Sequence, residues 1–335
     1  MLYAGGFILC AIVIFFAGKK LSYYGDLLAE KTGLSKGWIG LILMASVTSL
    51  PELMVGLSSV AIVESADLAV GDILGSCAFN LGILAMMDAF VPKRKPLLGL
   101  ASPSHMLNAG LGILMMTLVG FAFFAPKGFT IVPWISIMSI VFFLVYLIAV
   151  RIIYNNERYH QQQQNNIENV SHAGVQAITL RKIVLKYAAF ALIIILAALA
   201  LPFFADHIAE QTGLGKSFVG TFLLAVSTSL PEIAVSIAAV RMGSIDMSVG
   251  NLLGSNIFNI LILAIDDIFY RKGVLLEDAS DSHIFSVLST IMMSAVVVIG
   301  LSYHAKGKRF WLAWDALVIF LIYIFNLVIL FRLSS

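Results

Sequence analysis

The amino-acid sequence predicts an all-α membrane protein with ten transmembrane helices in two inverted-topology five-helix repeats, and with broken helices 2 and 7 at the centre. Three observations support this prediction. The chain of 335 residues is 60% hydrophobic and only 12% charged, which is too apolar for a soluble domain of this size. Ten long apolar segments follow one another along it. The string Thr-Ser-Leu-Pro-Glu occurs twice inside such segments, at 48–52 and at 228–232.

The apolar segments define the predicted helices. Each is long enough to cross about 30 Å of hydrocarbon, and the need to satisfy every backbone polar group in lipid makes them helices rather than strands. Their approximate ranges are 2–28, 36–62, 66–91, 104–125, 130–153, 183–209, 216–241, 245–270, 283–303 and 311–332.

One polar stretch, 154–180, divides the chain. It contains consecutive glutamines from Gln161 to Gln164, and we expect a flexible cytoplasmic linker there. The predicted units are therefore a first five-helix repeat at 1–153, the polar linker at 154–180 and a second five-helix repeat at 181–335.

The two halves match each other in sequence. Residues 26–40 align without gaps on 206–220, and the match continues through both Thr-Ser-Leu-Pro-Glu strings. It resumes between 70–80 and 249–259, and Asp88 then pairs with Asp267. Because five is an odd number, the second copy must enter the membrane with the opposite orientation. The duplication therefore predicts an inverted repeat.

The basic residues predict the orientation. With the N-terminus outside, the outer loops would hold five of the 21 lysines and arginines and the inner loops the other 16; the outer five are Lys127, Lys216, Arg271, Lys272 and Arg332. Cytoplasmic loops are enriched in such residues. We therefore expect a multi-pass protein of the cell (plasma or inner) membrane, with the N-terminus outside and the linker in the cytoplasm.

Composition also bounds the partners. The net charge is +2 and no basic tract is present, so no nucleic acid partner is expected. Cys10 and Cys77 lie in apolar segments and indicate no disulfide framework. The first apolar run lacks a preceding basic stretch, which favours a retained helix over a cleaved signal peptide. We expect the lipid bilayer as the partner of a chain that functions as a monomer.

The repeated string places an acid near the membrane midplane in each half. Glu52 lies 14 residues beyond Trp38, and Glu232 lies 14 residues beyond Phe218. At 1.5 Å per residue both reach mid-bilayer, where an ionisable residue is costly and by default functional. Two bare carboxylates would repel each other, and a divalent cation between them removes that penalty.

Further oxygen donors flank the two glutamates. Hydroxyl and amide side chains recur at matching positions: Thr48, Ser49, Ser76 and Asn80 in the first half, and Thr228, Ser229, Ser255 and Asn259 in the second. The prolines free backbone carbonyls at about 45–47 and 225–227. All of these are hard oxygen donors, which favour Ca²⁺, Na⁺ or related ions over soft metals.

Segments three and eight also carry glycines spaced for close helix contact. Gly71 with Gly75, and Gly250 with Gly254, form small-xxx-small faces.

The remaining acids are less specific. Asp72, four residues before Ser76, faces either the site or a water path, or it caps a solvated helix end. Its counterpart Asn251 is neutral. Near the segment ends lie Asp88, Asp266 and Asp267, and we expect these three at the membrane interface.

At these residues the chain resembles the cation/Ca²⁺ exchanger superfamily, specifically its sodium/calcium exchanger branch and its prokaryotic members. The resemblance implies ten helices in inverted repeats and four cation sites in a diamond, with Ca²⁺ and Na⁺ as transported ions and no organic cofactor. It implies that segments one and six are gating helices. The implied metal ligands are Glu52, Glu232, Thr48, Ser49, Thr228, Ser229, Ser76, Asn80, Ser255 and Asn259, with the carbonyls of Ala45 and Ala225.

One position departs from the family pattern. Several relatives have an aspartate where this chain has Asn259. With only Glu52 and Glu232 as central carboxylates, one Ca²⁺ balances the site and three Na⁺ leave an excess positive charge. The resemblance implies exchange of three Na⁺ for one Ca²⁺, which is electrogenic, and the neutral Asn259 argues against potassium co-transport.

The predicted function is secondary active exchange of Na⁺ for Ca²⁺ by alternating access. The nearest alternative is H⁺/Ca²⁺ exchange through the same carboxylates, because buried acids titrate readily. A cation channel is a second alternative, although channels usually have symmetric oligomeric pores. An enzyme is not expected, because the apolar segments contain no catalytic histidine and no nucleophile–base set.

Overall fold

The computed structural model describes residues 2–32, 45–91, 95–126, 128–164, 179–241, 243–303, 308 and 311–334. The first half contains α1 (Leu2–Thr32), α2 (Ala45–Thr48), α3 (Leu50–Ala61), α4 (Ala66–Met87), α5 (Leu97–Leu100), α6 (His105–Phe123) and α7 (Ile137–Gln164). A 3-10 turn, Asp88–Phe90, follows α4, and a short antiparallel hairpin of β1 (Thr130–Val132) and β2 (Ile135–Ser136) precedes α7.

The second half has a similar order of helices, without a hairpin before its last helix in the part that the structure describes. It contains α8 (Leu180–Thr212), α9 (Lys216–Val219), a π-helical turn (Gly220–Leu224), α10 (Ala225–Thr228), α11 (Leu230–Arg241), α12 (Ile245–Phe269), α13 (Leu275–Asp278), α14 (His283–Tyr303) and α15 (Trp314–Ser334).

Several of these helices are long and apolar enough to cross a membrane. Within the described residues eight qualify, and a ninth is added if Lys216–Thr228 and Leu230–Arg241, which meet at a bend of 46°, form one broken span. The second predicted segment, 36–62, is described only from residue 45 onward, where α2 and α3 lie. Its earlier part lies outside the described residues.

Helices α4 and α12 form the centre of the molecule. The apolar stretch of α4 is buried along its whole length and that of α12 over most of it, whereas the other candidate spans are about half buried or less. Close packing needs the small residues of α4. A Cβ added at Gly75 would lie 2.4 Å from the Thr221 carbonyl oxygen, and one at Gly71 would lie 3.0 Å from the Gly220 Cα. The predicted close contact is confirmed for these two glycines.

Helices α1 and α8 pack against each other across this centre. Gly18 of α1 lies directly on Pro231, since a Cβ there would be 2.4 Å from the proline Cγ. Ser58 of α3 donates a hydrogen bond to the Leu199 carbonyl of α8 at 2.7 Å. The outward faces of both helices expose large apolar side chains such as Phe16 and Leu196, as expected of surfaces that face lipid.

Two histidine–aspartate contacts join the halves in matching ways. His283 Nε2 lies 3.1 Å from Asp67 Oδ1, and His105 Nε2 lies 3.1 Å from Asp246 Oδ1. Asp67 and Asp246 lie in the first turns of α4 and α12, and His283 and His105 are the first residues of α14 and α6. The two contacts therefore clamp α4 and α12 at opposite ends.

The three acids that we expect near the segment ends, Asp88, Asp266 and Asp267, are all buried in the protein. Asp88 accepts from the N–H groups of Leu97 and Ala313, both at 2.7 Å, and pairs with Lys308 at 2.9 Å. The N–H groups of Leu275 and Ser136 bond to Asp267 at 2.8 and 2.9 Å. Helix starts carry unpaired N–H groups, and these two aspartates satisfy them.

The predicted flexible linker is shorter than its polar composition suggests. Helix α7 continues to Gln164, so residues 154–164 are helical. Glutamine, glutamate and arginine are good helix formers, so the helix extends past the apolar segment. Residues 165–178 of the predicted linker lie outside the described residues.

Candidate cation site

Both Thr-Ser-Leu-Pro-Glu strings break their helices in the same way. Ser49 has φ −84° and ψ 11°, and Ser229 has φ −82° and ψ 11°, outside the helical range. In each string a short helix ends before this serine and a new helix begins with the leucine and proline that follow. Proline suits a helix start because it has no N–H to leave unpaired. The break places each glutamate in the first turn of the new helix.

The two glutamates are completely buried and come from opposite halves. Ser229 Oγ donates a hydrogen bond to Glu52 Oε1 at 3.0 Å, so the second string contacts the acid of the first. The other oxygen of Glu52 and both oxygens of Glu232 have no hydrogen-bond partner among the described residues. Electrostatic interaction links the two carboxylates, and neither forms an ion pair within the described part of the chain. This is the environment that the sequence predicts for a cation.

The two threonines contact the central helices of the opposite halves. Thr228 Oγ1 lies 3.2 Å from Ser76 Oγ on α4, and Thr48 Oγ1 lies 3.4 Å from Ser255 Oγ on α12. A third contact is matched as well: Thr228 Oγ1 donates to Asp72 Oδ1 at 3.0 Å, and Thr48 Oγ1 lies 3.5 Å from Asn251 Oδ1. Predicted hydroxyl ligands of the two halves thus contact each other in two matched pairs.

The asparagines differ between the halves. Asn80 Nδ2 donates to Asn256 Oδ1 at 3.0 Å, and Asn256 Nδ2 donates to the Cys77 carbonyl at 3.0 Å. This leaves Asn80 Oδ1 free, and neither polar atom of Asn259 has a partner among the described residues. Sequence reasoning did not single out Asn256, although an amide opposite Cys77 in the repeat alignment is a usable signal.

The prolines predict carbonyls without hydrogen bonds near Ala45 and Ala225, but both of these carbonyls accept a backbone N–H. Ala45 O accepts from the Ser49 N–H at 2.9 Å and from Thr48 Oγ1 at 3.3 Å. Ala225 O accepts from the Ser229 N–H at 3.1 Å and lies 3.2 Å from Thr228 Oγ1, whose single proton is donated to Asp72. A carbonyl oxygen has two lone pairs, so each of these carbonyls can bind a cation when its threonine hydroxyl donates elsewhere.

Asp72 belongs to the centre and not to a solvated helix end. Its side chain is fully buried, and it interacts electrostatically with Glu52 in addition to its bond from Thr228. Asp72 is thus a third buried acid beside the two strings, because α4 brings its carboxylate within hydrogen-bond distance of Thr228.

The arrangement suits a hard cation. Unpartnered oxygens of fully buried groups face the site from both halves; they belong to Ser49, Glu52, Glu232, Asp72, Asn80 and Asn259. Buried polar atoms without partners are costly, and each needs an explanation. A cation with six to eight oxygen ligands, such as Ca²⁺, would satisfy several of them at once.

The sequence was compared with those of known proteins and protein families. The profile of the family described as "Sodium/calcium exchanger protein" matches residues 2–151 and 182–332. The sodium/calcium exchanger MaX1 of Methanosarcina acetivorans is 26% identical over 97% of this chain and 98% of its own length.

Two solved structures share the fold. The sodium-calcium exchanger NCX_Mj, soaked with Na⁺ and Sr²⁺, is 22% identical with a TM-score of 0.63 over 98% of each chain. The H⁺/Ca²⁺ exchanger CAX is 15% identical with a TM-score of 0.71, over 99% of this chain and 86% of its own. The profile match spans both halves and includes every residue of the site. The chain therefore belongs to the sodium/calcium exchanger family and is a membrane cation/Ca²⁺ exchanger, not an enzyme.

Proposed function

We propose that this chain is a secondary active antiporter that exchanges Na⁺ for Ca²⁺, with the cations bound between Glu52 and Glu232. One observation carries the proposal. Two acids from opposite halves are fully buried, electrostatically linked and have three of their four oxygens unpartnered. Such charges are tolerated in a protein interior only with a counter-charge, and Ca²⁺ or Na⁺ supplies it.

The proposed ligands surround these acids in two matched sets. One set is Thr48, Ser49 and Glu52 with Ser255 and Asn259; the other is Thr228, Ser229 and Glu232 with Ser76 and Asn80. The carbonyls of Ala45 and Ala225 complete them once the threonine hydroxyls turn toward the ion. The crossed contacts of Thr48 with Ser255, and of Thr228 with Ser76, support this pairing.

Asp72 changes the charge balance of the proposal. With Glu52 and Glu232 it gives the site three carboxylates. Three Na⁺ would neutralise them, whereas one Ca²⁺ would leave one negative charge. The two loaded states thus differ by one charge whatever the third acid contributes, and exchange of three Na⁺ for one Ca²⁺ remains electrogenic.

Alternating access is the proposed mechanism. Helices α1 and α8 would slide across the centre once the site is neutralised, and a charged empty site would oppose the movement. The contact of Gly18 with Pro231 supports this role, because a glycine offers α11 a smooth surface at the broken helix. Every proposed side-chain ligand is buried, which fits a site closed to both sides.

The proposed topology is ten spans in two inverted five-helix repeats, 1–153 and 181–335, joined by a cytoplasmic linker in 154–180. In this topology the N-terminus lies outside. The proposed location is the cell membrane, and the proposed functional unit is a monomer. Contacts between loops support it. His283 with Asp67, and Lys272 with Glu64 at 2.7 Å, both join segments that this topology puts outside. The contact of His105 with Asp246 joins two segments that it puts inside.

H⁺/Ca²⁺ exchange is the second candidate. Three buried acids without a basic partner can carry protons, and the fold is shared with the H⁺/Ca²⁺ exchanger CAX. Asn259 is a proposed ligand in both the Na⁺/Ca²⁺ and the H⁺/Ca²⁺ candidate, so it does not distinguish between them.

Uptake of ⁴⁵Ca²⁺ into proteoliposomes under Na⁺, K⁺ or H⁺ gradients tests the proposal. We expect uptake with the Na⁺ gradient alone, and its loss in Glu52→Gln and Glu232→Gln, because each change removes a charge from the site without changing its size. Glu64→Gln is the control, since its side chain is 55% exposed and forms an ion pair with the exposed Lys272. Uptake driven by a pH gradient without Na⁺ would support the second candidate. Wild-type uptake by either site variant would refute both.

A further inference from the structure

Asp266 is a buried acid that the proposed site does not use. It lies on α12, seven residues beyond Asn259 and about two helical turns toward the side that the proposed topology puts outside. Its side chain is fully buried, and neither carboxylate oxygen has a hydrogen-bond partner among the described residues. The neighbouring Asp267 differs, because both its oxygens accept backbone N–H groups.

A glycine makes room for this carboxylate. A Cβ added at Gly56 would lie 2.3 Å from Asp266 Oδ2 and 2.6 Å from Oδ1, so the acid rests directly on the backbone of α3. Gly56 is one helical turn from Glu52 on the same face. Asp266 therefore lies one layer away from the cation site, in contact with the helix that carries one of its two glutamates.

Among the described residues, the charged groups that interact with Asp266 are acidic, and so are Glu277 and Asp278 of α13, which packs against α12. Asp72 on α4 and Asp267 on its own helix interact with it electrostatically, and Glu52 lies one turn away on α3. Helix α6 carries only His105, at its far end, and the titratable group of α7 on this face, Tyr146, packs against Phe258 two turns deeper. The nearest base along the chain, Arg271, lies over the Trp134 ring instead, 4.7 Å from its centroid.

These surroundings favour a proton over a metal ion. Among the described residues, the unpartnered side-chain oxygens close to Asp266 along the packed helices are its own two and one each from Asp72 and Ser59. Ca²⁺ takes six to eight oxygen ligands, whereas a proton needs a single carboxylate oxygen. An ionised carboxylate without donors or a cation is too costly to bury.

The acid is present in only one half. In the repeat alignment Met87 takes the place of Asp266, Asn251 that of Asp72, and Ser236 that of Gly56. A charge at Asp266 therefore acts mainly on cations that approach from the side of Glu64 and Asp67, and its repeat counterpart on the other side, Met87, carries no charge.

We propose that Asp266 is a proton-binding site on the outward side of the cation site, and that loss of this proton strengthens the attraction for cations from that side. A unit charge at roughly 10 Å, in an effective dielectric of about 20, changes the affinity for a monovalent cation on the order of tenfold, and more for Ca²⁺. This proposal does not depend on whether Na⁺ or H⁺ is the coupling ion.

Infrared spectroscopy of the full chain in detergent tests the proton directly. At neutral pH the spectrum of the wild type minus that of Asp266→Asn should contain the carbonyl band of a protonated carboxylic acid, in Na⁺ and in choline buffers alike. Asp281→Asn is the control, because Asp281 is exposed and should contribute only the bands of an ionised carboxylate. Absence of the acid band refutes the proposal. A band seen in choline and lost in Na⁺ would also refute it, since Asp266 would then bind Na⁺.

A second variant covers the case in which Asp266→Asn does not fold. Gly56→Ala keeps the acid but displaces its carboxylate from α3, so the acid band should shift in frequency. An unshifted band would place the protonated acid elsewhere and refute the assignment.

A transport measurement tests the functional consequence. In oriented proteoliposomes, raising the pH on the Asp266 side should increase the apparent Ca²⁺ affinity of the wild type on the order of tenfold or more. Asp266→Asn should lack this increase, since asparagine mimics the neutral acid, and pH on the opposite side should affect both proteins alike. An equal response of variant and wild type would refute the proposal. If no Ca²⁺ transport occurs at all, the proposed function fails while the infrared result still decides the proton site.

Discussion

Substitution of Gly75 tests whether close approach of α4 to the broken helix builds the cation site. A Cβ at this position would lie 2.4 Å from the Thr221 carbonyl oxygen, 2.6 Å from the Thr221 Cα and 2.7 Å from the Ala225 Cβ. Two of these three atoms belong to the backbone, so no side-chain rotation relieves the overlap. Gly75→Ala must therefore push α4 and the π-helical turn apart by roughly 1 Å, which costs about 1–3 kcal/mol.

Gly82→Ala is a matched control in the same helix. Its Cβ would lie 3.6 Å from the nearest atom of the Tyr323 ring, an ordinary contact. Alanine should stabilise the helix here by about 0.5–1 kcal/mol, because glycine loses more backbone entropy on folding. The two variants should then differ by about 1.5–4 kcal/mol in unfolding free energy.

Denaturant unfolding in detergent and Ca²⁺ titration measure the two effects. Gly75→Ala should also weaken Ca²⁺ binding, because Ser76 and Thr228, whose hydroxyl oxygens are 3.2 Å apart, lie beside the overlap. Gly82→Ala should bind like the wild type. If Gly75→Ala is as stable as Gly82→Ala and binds Ca²⁺ equally well, close approach of α4 at Gly75 does not build the cation site.

Two further changes probe charge. Asn259→Asp should strengthen Ca²⁺ binding about tenfold or more at alkaline pH, because it adds a charge at a fully buried amide that has no hydrogen-bond partner among the described residues. Unchanged affinity in equilibrium dialysis would show that position 259 does not face the ion. Lys308→Met should lower the unfolding free energy by about 3 kcal/mol, because it leaves a buried acid without its base. Lys272→Met, whose ion pair is exposed, should cost less than about 1 kcal/mol, and equal losses would contradict this account.

The sequence predicted much of the candidate site because its signal is local and duplicated. A proline, two hydroxyls and an acid in an apolar segment are improbable once, and their recurrence at 228–232 identifies two matching positions. Helical periodicity then related Ser76 to Asn80 and Ser255 to Asn259. In the structure these groups come together, and the threonine of each string contacts the central helix of the opposite half.

Other features depended on contacts between distant segments. In the sequence both Asp72 and Asp266 are acids within apolar segments, and neither has its surroundings determined by its neighbours in the chain. Only tertiary packing gives Asp72 a hydrogen bond from Thr228, 156 residues away, and leaves Asp266 against Gly56 without a partner. The bonds of Asp88 to Ala313 and Lys308 cannot be inferred from neighbouring residues for the same reason.

By itself the sequence determined the membrane class, the duplication and the residues with oxygen donors at its centre. These follow from composition, periodicity and spacing, which are properties of short stretches. The tertiary structure alone decided how many carboxylates share the interior, which carbonyls are occupied, and which acid remains without a partner. The physical reason is that the free energy of a buried charge depends on the atoms packed around it, and most of those atoms come from the other half of the chain.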